Sequence, residues 1–115
     1  MSLAQALSAK SIDPAVAKDW ASDIAALIRA ASSPQRIILF GSGADGHFRE
    51  GSDLDLLLVY PDVTALRAAR TNVRQSGRLS TRCPVDLVFV TSERFEKYKD
   101  LGGVCHIAAH EGIDL

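Results

Sequence analysis

Sixteen residues in the middle of the chain, Gly41 to Leu56, constrain its fold more than any others. They read Gly-Ser-Gly-Ala-Asp-Gly-His-Phe-Arg-Glu-Gly-Ser-Asp-Leu-Asp-Leu; the apolar run Ile37 to Phe40 precedes them and the apolar run Leu56 to Val59 completes them. An apolar stretch therefore delivers a glycine-serine turn, a polar loop follows, and two aspartates one residue apart stand at the entrance to a second apolar stretch. This is the layout of a phosphate cradle followed by a metal site.

Alternate residues of a strand face the same side, so Asp53 and Asp55 would point together with Cα atoms roughly 6.5 to 7 Å apart. Two like charges held that close repel. A divalent cation relieves the repulsion, and magnesium favours a few carboxylates plus substrate phosphates over an all-protein cage. Upstream, Gly41 and Ser42 suit a tight turn whose bare backbone N–H groups and one hydroxyl can approach phosphate oxygens. The combination invites a nucleoside triphosphate with magnesium.

The segment resembles the signature of the nucleotidyltransferase superfamily that includes DNA polymerase beta, Gly-Ser-x-Ala-Arg-Gly, five residues, then Ser-Asp-x-Asp-Leu. It looks most like the small bacterial minimal nucleotidyltransferases. Gly41, Ser42, Ala44, Gly46, Ser52, Asp53, Asp55 and Leu56 fall in register. Asp45 departs, standing where the family usually has arginine, and an acid there would weaken affinity for a triphosphate.

At 115 residues and 12.4 kDa the chain is expected to be one domain, 1–115, with one core and no separate substrate domain. Its formal net charge of −1 offers no overall advantage for coating nucleic acid, so direct nucleic-acid binding is not expected and any basic surface must be local. Met1 to Ser11 lacks the basic start and apolar core of a secretory signal, and no apolar run approaches the roughly 20 residues of a membrane span. Cys83 and Cys105 have no Cys-x-x-Cys spacing, so two reduced structural thiols in a cytoplasmic protein are expected, with neither a disulfide nor a zinc site.

In chain order, Asp13-Pro14 reads as an N-cap with proline at the first helical position, opening a helix over residues 14–31. Its apolar stripe would comprise Val16, Trp20, Ile24, Leu27, Ile28 and Ala31, with Trp20 in a core or interface role. Ser32-Ser33-Pro34 stops it. Strands are expected over 36–40, 53–60 and 85–91, with 43–51 a glycine-rich loop carrying a solvated His47. Asp62 can cap a helix whose apolar face is Val63, Leu66, Ala69 and Val73. On it Arg67, Arg70, Arg74 and Arg78 form one stripe, readable as a solvated face or as a docking surface for an acidic partner or RNA; Gly77 weakens the last turn. Asp86 lies among Val85, Leu87, Val88, Phe89 and Val90, where an unpaired carboxylate would be costly. Ser92-Glu93 opens a helix to about Leu101, Gly102-Gly103 breaks it, and Val104 to Glu111 adds a further turn or two. His106 and His110, four apart, lack a third metal ligand.

The order of elements suggests a small α/β sheet flanked by helices. The resemblance implies an α+β fold with a mixed sheet, and a third carboxylate on a neighbouring strand that completes the metal site; Asp86 has that context. It also implies a two-metal transfer: Asp53, Asp55 and Asp86 as catalytic residues and ligands to two magnesium ions, with Gly41, Ser42 and Ser52 on the nucleotide. The product would be a nucleoside monophosphate, AMP from ATP, on a hydroxyl acceptor. Resemblance to the minimal members further implies a partner, a small helical ribonuclease toxin of the HEPN class, silenced by adenylylation of a tyrosine, with this chain as antitoxin. The competing expectation, favoured by Asp45, is an inert antitoxin that keeps the fold and blocks its partner by contact alone.

Overall fold

In the computed structural model, which describes residues 10–115, the first helix α1 spans Pro14–Ala31, and the carboxylate of Asp13 accepts the N–H of Ala15 at 2.8 Å to cap it. The reading of a missing secretory signal falls mostly on residues 1–9, outside the described part. The buried face of α1 is Ala17, Ala21, Ile24, Ala25 and Ile28, rotated from the expected stripe. Val16 and Leu27 are left 38% and 48% exposed. Small side chains at Ala17, Ala21 and Ala25 let the helix lie close on the sheet, and close approach outweighs the size of any single side chain.

Four strands follow the order β3-β2-β1-β4: β1 is Arg36–Phe40, β2 Leu54–Tyr60, β3 Val85–Thr91 and β4 Ile113–Asp114. β1 runs antiparallel to β2 and β4, whereas β2 and β3 are parallel, so the sheet is mixed. The intervening helices are a single turn α2 (Ser42–Asp45), then α3 (Val63–Gln75), α4 (Ser92–Tyr98) and α5 (Gly103–Glu111). The expected 43–51 loop thus begins as helix, because the Gly41 carbonyl accepts from Ala44 and Asp45 before Gly46, at φ 87°, ends the turn. The rest of it is anchored: Phe48 is buried with its ring edge-on to Trp20, and its carbonyl accepts from Ile12 N–H at 2.9 Å.

Two cores sandwich the sheet. On one face Ile37, Leu39, Leu54, Leu56 and Leu58 meet α1 and the Ala69 and Val73 of α3; on the other Ile38, Phe40, Leu57, Val59 and Val90 meet Phe95 of α4 and Cys105 and Ala108 of α5. Each fully buried leucine contributes about 1.5–3 kcal/mol. β2 is thus enclosed on both sides and reads Leu-Asp-Leu-Leu-Leu-Val-Tyr, its only charge being Asp55.

β4 pairs Ile38 with Asp114 and Leu39 with Ile113, and Arg36 forks onto the Asp114 carboxylate at 3.1 and 3.0 Å. Gly112 makes this return possible. A Cβ there would collide with the Ala108 carbonyl oxygen and with Ile38 Cγ2, and would lie 3.0 Å from the Leu39 carbonyl oxygen. Gly112→Ala is therefore expected to lower stability by about 1–3 kcal/mol, seen as a reduced urea midpoint at unchanged slope. A wild-type midpoint would show that the turn can give way.

Candidate active site

Asp55 is the hub of the site. It pairs across β1 with Phe40, the residue before Gly41, and across β3 with Asp86. Paired residues in a sheet share a face, and Phe40, Leu57 and Val90 all belong to the core under α4 and α5. Asp55 and Asp86 accordingly emerge on that face, at the end of the sheet where β1 stops and β2 and β3 begin. Asp53 precedes β2 and is exposed; Asp55 is half-buried.

Burial pushes the Asp55 carboxyl above the usual carboxylate range, and the charges of Asp86 and then Asp53 push it further. Asp55 therefore senses both of the other acids. Among the described residues, no three His, Cys, Asp or Glu side chains already ring a point where an ion could be held. Chemically the donor set is three carboxylates and no nitrogen or sulfur, which suits a hard divalent cation such as magnesium.

Asp86 is exposed, not enclosed by the apolar residues beside it in sequence. β3 is an edge strand, so Val85 and Leu87 cover only part of its surroundings.

Gly41 has φ 72° and ψ −152°, a conformation accessible essentially to glycine alone, and a Cβ there would run into Asp55 Oδ2. Its bare backbone thus passes directly against the central carboxylate. Ser42 opens α2, and Gly43 is buried against Leu39 and Leu54, which fixes the turn on the sheet. Ser52 closes the loop instead, its Oγ accepting the Arg49 N–H at 3.2 Å. Asp45 folds back: it accepts the His47 N–H at 2.9 Å and meets His47 Nδ1 at 3.0 Å, which holds its carboxyl below the usual range. Its charge is not among those raising Asp55.

Sequence reasoning missed a cleft of about 530 Å³ formed by residues 77–85, running up to Val85 beside Asp86 and including Arg78, Ser80, Arg82 and Cys83. The run Arg-Leu-Ser-Thr-Arg-Cys-Pro was its signal, readable only once Pro84 is seen to accept the Leu54 N–H at 3.0 Å. The two histidines of α5 stay apart from the site. His106 donates from Nδ1 to the Lys99 carbonyl at 3.0 Å, and His110 Nε2 meets Asp100 at 2.9 Å. Cys83 and Cys105 are free, and burial raises both thiols, favouring the unreactive protonated form. α3 ends at Gln75, and Gly77 at φ 90° leaves Arg78 beyond the helix.

A mixed sheet with a glycine-serine turn at the end of one strand, two alternating aspartates at the start of the next and a third acid beside them defines a class of nucleotide-handling protein. The chain belongs to the nucleotidyltransferase domain family, which matches residues 23–113. In fold it is similar to a candidate nucleotidyltransferase from Sulfolobus solfataricus, with a TM-score of 0.57, 15% identity, and coverage of 91% of this chain and 87% of that one. Spectinomycin adenyltransferase from Enterococcus faecialis, solved with ATP and spectinomycin, aligns with a TM-score of 0.46 and 17% identity over 76% of this chain and 37% of that one. No curated protein matches the sequence significantly. None of the described helices is long and apolar enough to cross a membrane.

Proposed function

We propose that this chain is a minimal nucleotidyltransferase that moves AMP from ATP onto a hydroxyl of a partner protein, a tyrosine of a HEPN-type toxin, and so acts as its antitoxin. The observation that carries the reading is Asp55: the sole charge in a strand enclosed on both faces, with its carboxyl raised by burial and by two further acids, and facing a glycine whose missing side chain keeps the space before it open. Such a concentration of acid is costly unless it meets a cation.

Asp53, Asp55 and Asp86 would hold magnesium, which when bound neutralises the charge of the triphosphate and of the departing pyrophosphate. The backbone of Gly41 and the hydroxyl of Ser42 orient the β- and γ-phosphates, so the leaving group is aligned before reaction. The acceptor oxygen attacks the α-phosphorus, the bond from that phosphorus to the bridging oxygen breaks, and the hydroxyl proton passes to a carboxylate. Asp86 suits this last role, since its place on the exposed sheet edge is where an acceptor from another molecule can reach.

The purified protein, incubated with magnesium, ATP labelled at the α-phosphate and the product of the neighbouring gene, is expected to label that product on tyrosine. Complex formation without transfer, under every divalent metal tried, would reject the enzyme and leave inhibition by contact, the reading that Asp45 in the usual arginine position favours.

A further inference from the structure

The far end of β3 offers a second surface. β3 pairs with β2 on one side, and among the described residues no strand pairs with its other edge, which ends at Thr91, the N-cap of α4. Edge strands are commonly protected by a lysine, a proline or a bulge. This one has none of these over seven consecutive paired residues, its only charge being Asp86 at the active-site end.

Straddling the other end is a groove of about 350 Å³ between the start of α3 and α4. Val63 and Leu66 form its α3 wall, Phe89 and Val90 its floor, and Tyr98 part of its α4 wall; Val63 is 52% exposed. The rim is cationic. Arg70 lies over the Phe89 ring at 5.5 Å, and Arg94 and Lys97 lie over Tyr98 at 5.2 and 5.4 Å. None of the three has a carboxylate partner among the described residues, although Arg36, Arg82 and Lys99 elsewhere do. α3 carries Arg67, Arg70 and Arg74 with no acid, and Glu93 is the one acid lining the groove.

We propose that this edge docks an extended acidic segment of a partner protein, which adds to β3 over Leu87 to Thr91. Alternate residues of an added strand face opposite sides. Apolar side chains on one side would enter the groove at Val63, Leu66 and Phe89; acids on the other would meet Arg94 and Lys97. Charge complementarity selects the acidic occupant on a chain whose net charge is otherwise slightly negative. A second copy paired antiparallel on the same edge would lay its β3 across Asp86 and close the carboxylate that the proposed transfer needs open. An acidic segment that stops at Leu87 leaves Asp86 itself unpaired, and Val90 on the groove floor lies four residues further along, about 13 Å at roughly 3.3 Å per residue.

The test uses the full chain and a fluorescent nonapeptide alternating valine with glutamate, followed by anisotropy. Saturable binding is expected, weakened at least tenfold by the exposed double substitution Arg94→Glu with Lys97→Glu at unchanged circular dichroism, and lost when lysine replaces glutamate in the peptide. Amide shift changes should be confined to Leu87–Thr91 and the facing turns of α3 and α4. No saturable binding, equal binding of the lysine peptide, or indifference to the double substitution would overturn the proposal. So would concentration-dependent self-association that blocks the peptide, which would assign the edge to a second copy. The readout is binding alone, so failure of nucleotidyl transfer leaves it intact.

Discussion

Asp55→Asn is expected to reduce the proposed nucleotidyl transfer about a hundred- to a thousandfold while giving a more heat-stable protein in the absence of divalent metal. The loss follows from removing the central member of the acid cluster; a single preorganised electrostatic group at a phosphoryl or acyl centre is commonly worth 10² to 10³ in rate. The gain follows from the raised carboxyl. Burial and the charges of Asp86 and Asp53 disfavour its ionised form in the folded chain. Its folded pKa lies above the unfolded value of 3.8, so the native state binds the proton more tightly between the two. Stability from this group is therefore greatest below 3.8 and declines as pH rises through the raised folded pKa. The asparagine variant should lack that decline. Asp53→Asn should also abolish transfer, with a smaller thermal gain because Asp53 is already exposed. Retained transfer in Asp55→Asn, or a lower melting temperature, would remove Asp55 from the centre of the site.

Gly41→Ala should be the other severe change. The residue occupies a backbone region that costs other residues about 1–3 kcal/mol, and the new methyl would displace Asp55 Oδ2. Urea denaturation should show a loss of that order, and transfer should fall by more than the folded fraction explains. Equal losses in activity and folded fraction would make Gly41 a turn residue only.

The helices with strong caps and the long strands were legible in the sequence. Asp13-Pro14 marked the start of α1, and Ser32 and Pro34 its end. β1 and β3 fall where their apolar runs predict, whereas β2 begins one residue later than expected, at Leu54. The resemblance carried the mixed sheet, since alternation cannot distinguish parallel from antiparallel neighbours. What local pattern could not convey was the environment set by distant elements. Val16 and Leu27 looked like core residues until Ala17, Ala21 and Ala25 took the inner face. Asp86 appeared enclosed because its sequence neighbours are apolar, but an edge strand exposes what a central one would hide. β4 is two residues long, too short to show a period, and depends on Gly112 for its turn. At the site, Gly41, Asp53 and Asp55 stood out by spacing and Asp86 only through the resemblance, whereas the cleft of residues 77–85 is contributed by a loop whose place depends on pairing at Leu54.

The lone acid in β2 also polices strand alignment. Were β2 to slide by one position against β1, Asp55 would turn into the leucine-lined layer beneath α1 and α3, and Leu54 or Leu56 would emerge where the carboxylate belongs. Such a chain would incur the desolvation of an unpaired anion and forfeit two apolar layers at once. Misaligned molecules should thus be unstable and lack the acid cluster, so that attaining the native register and assembling the candidate site are a single event.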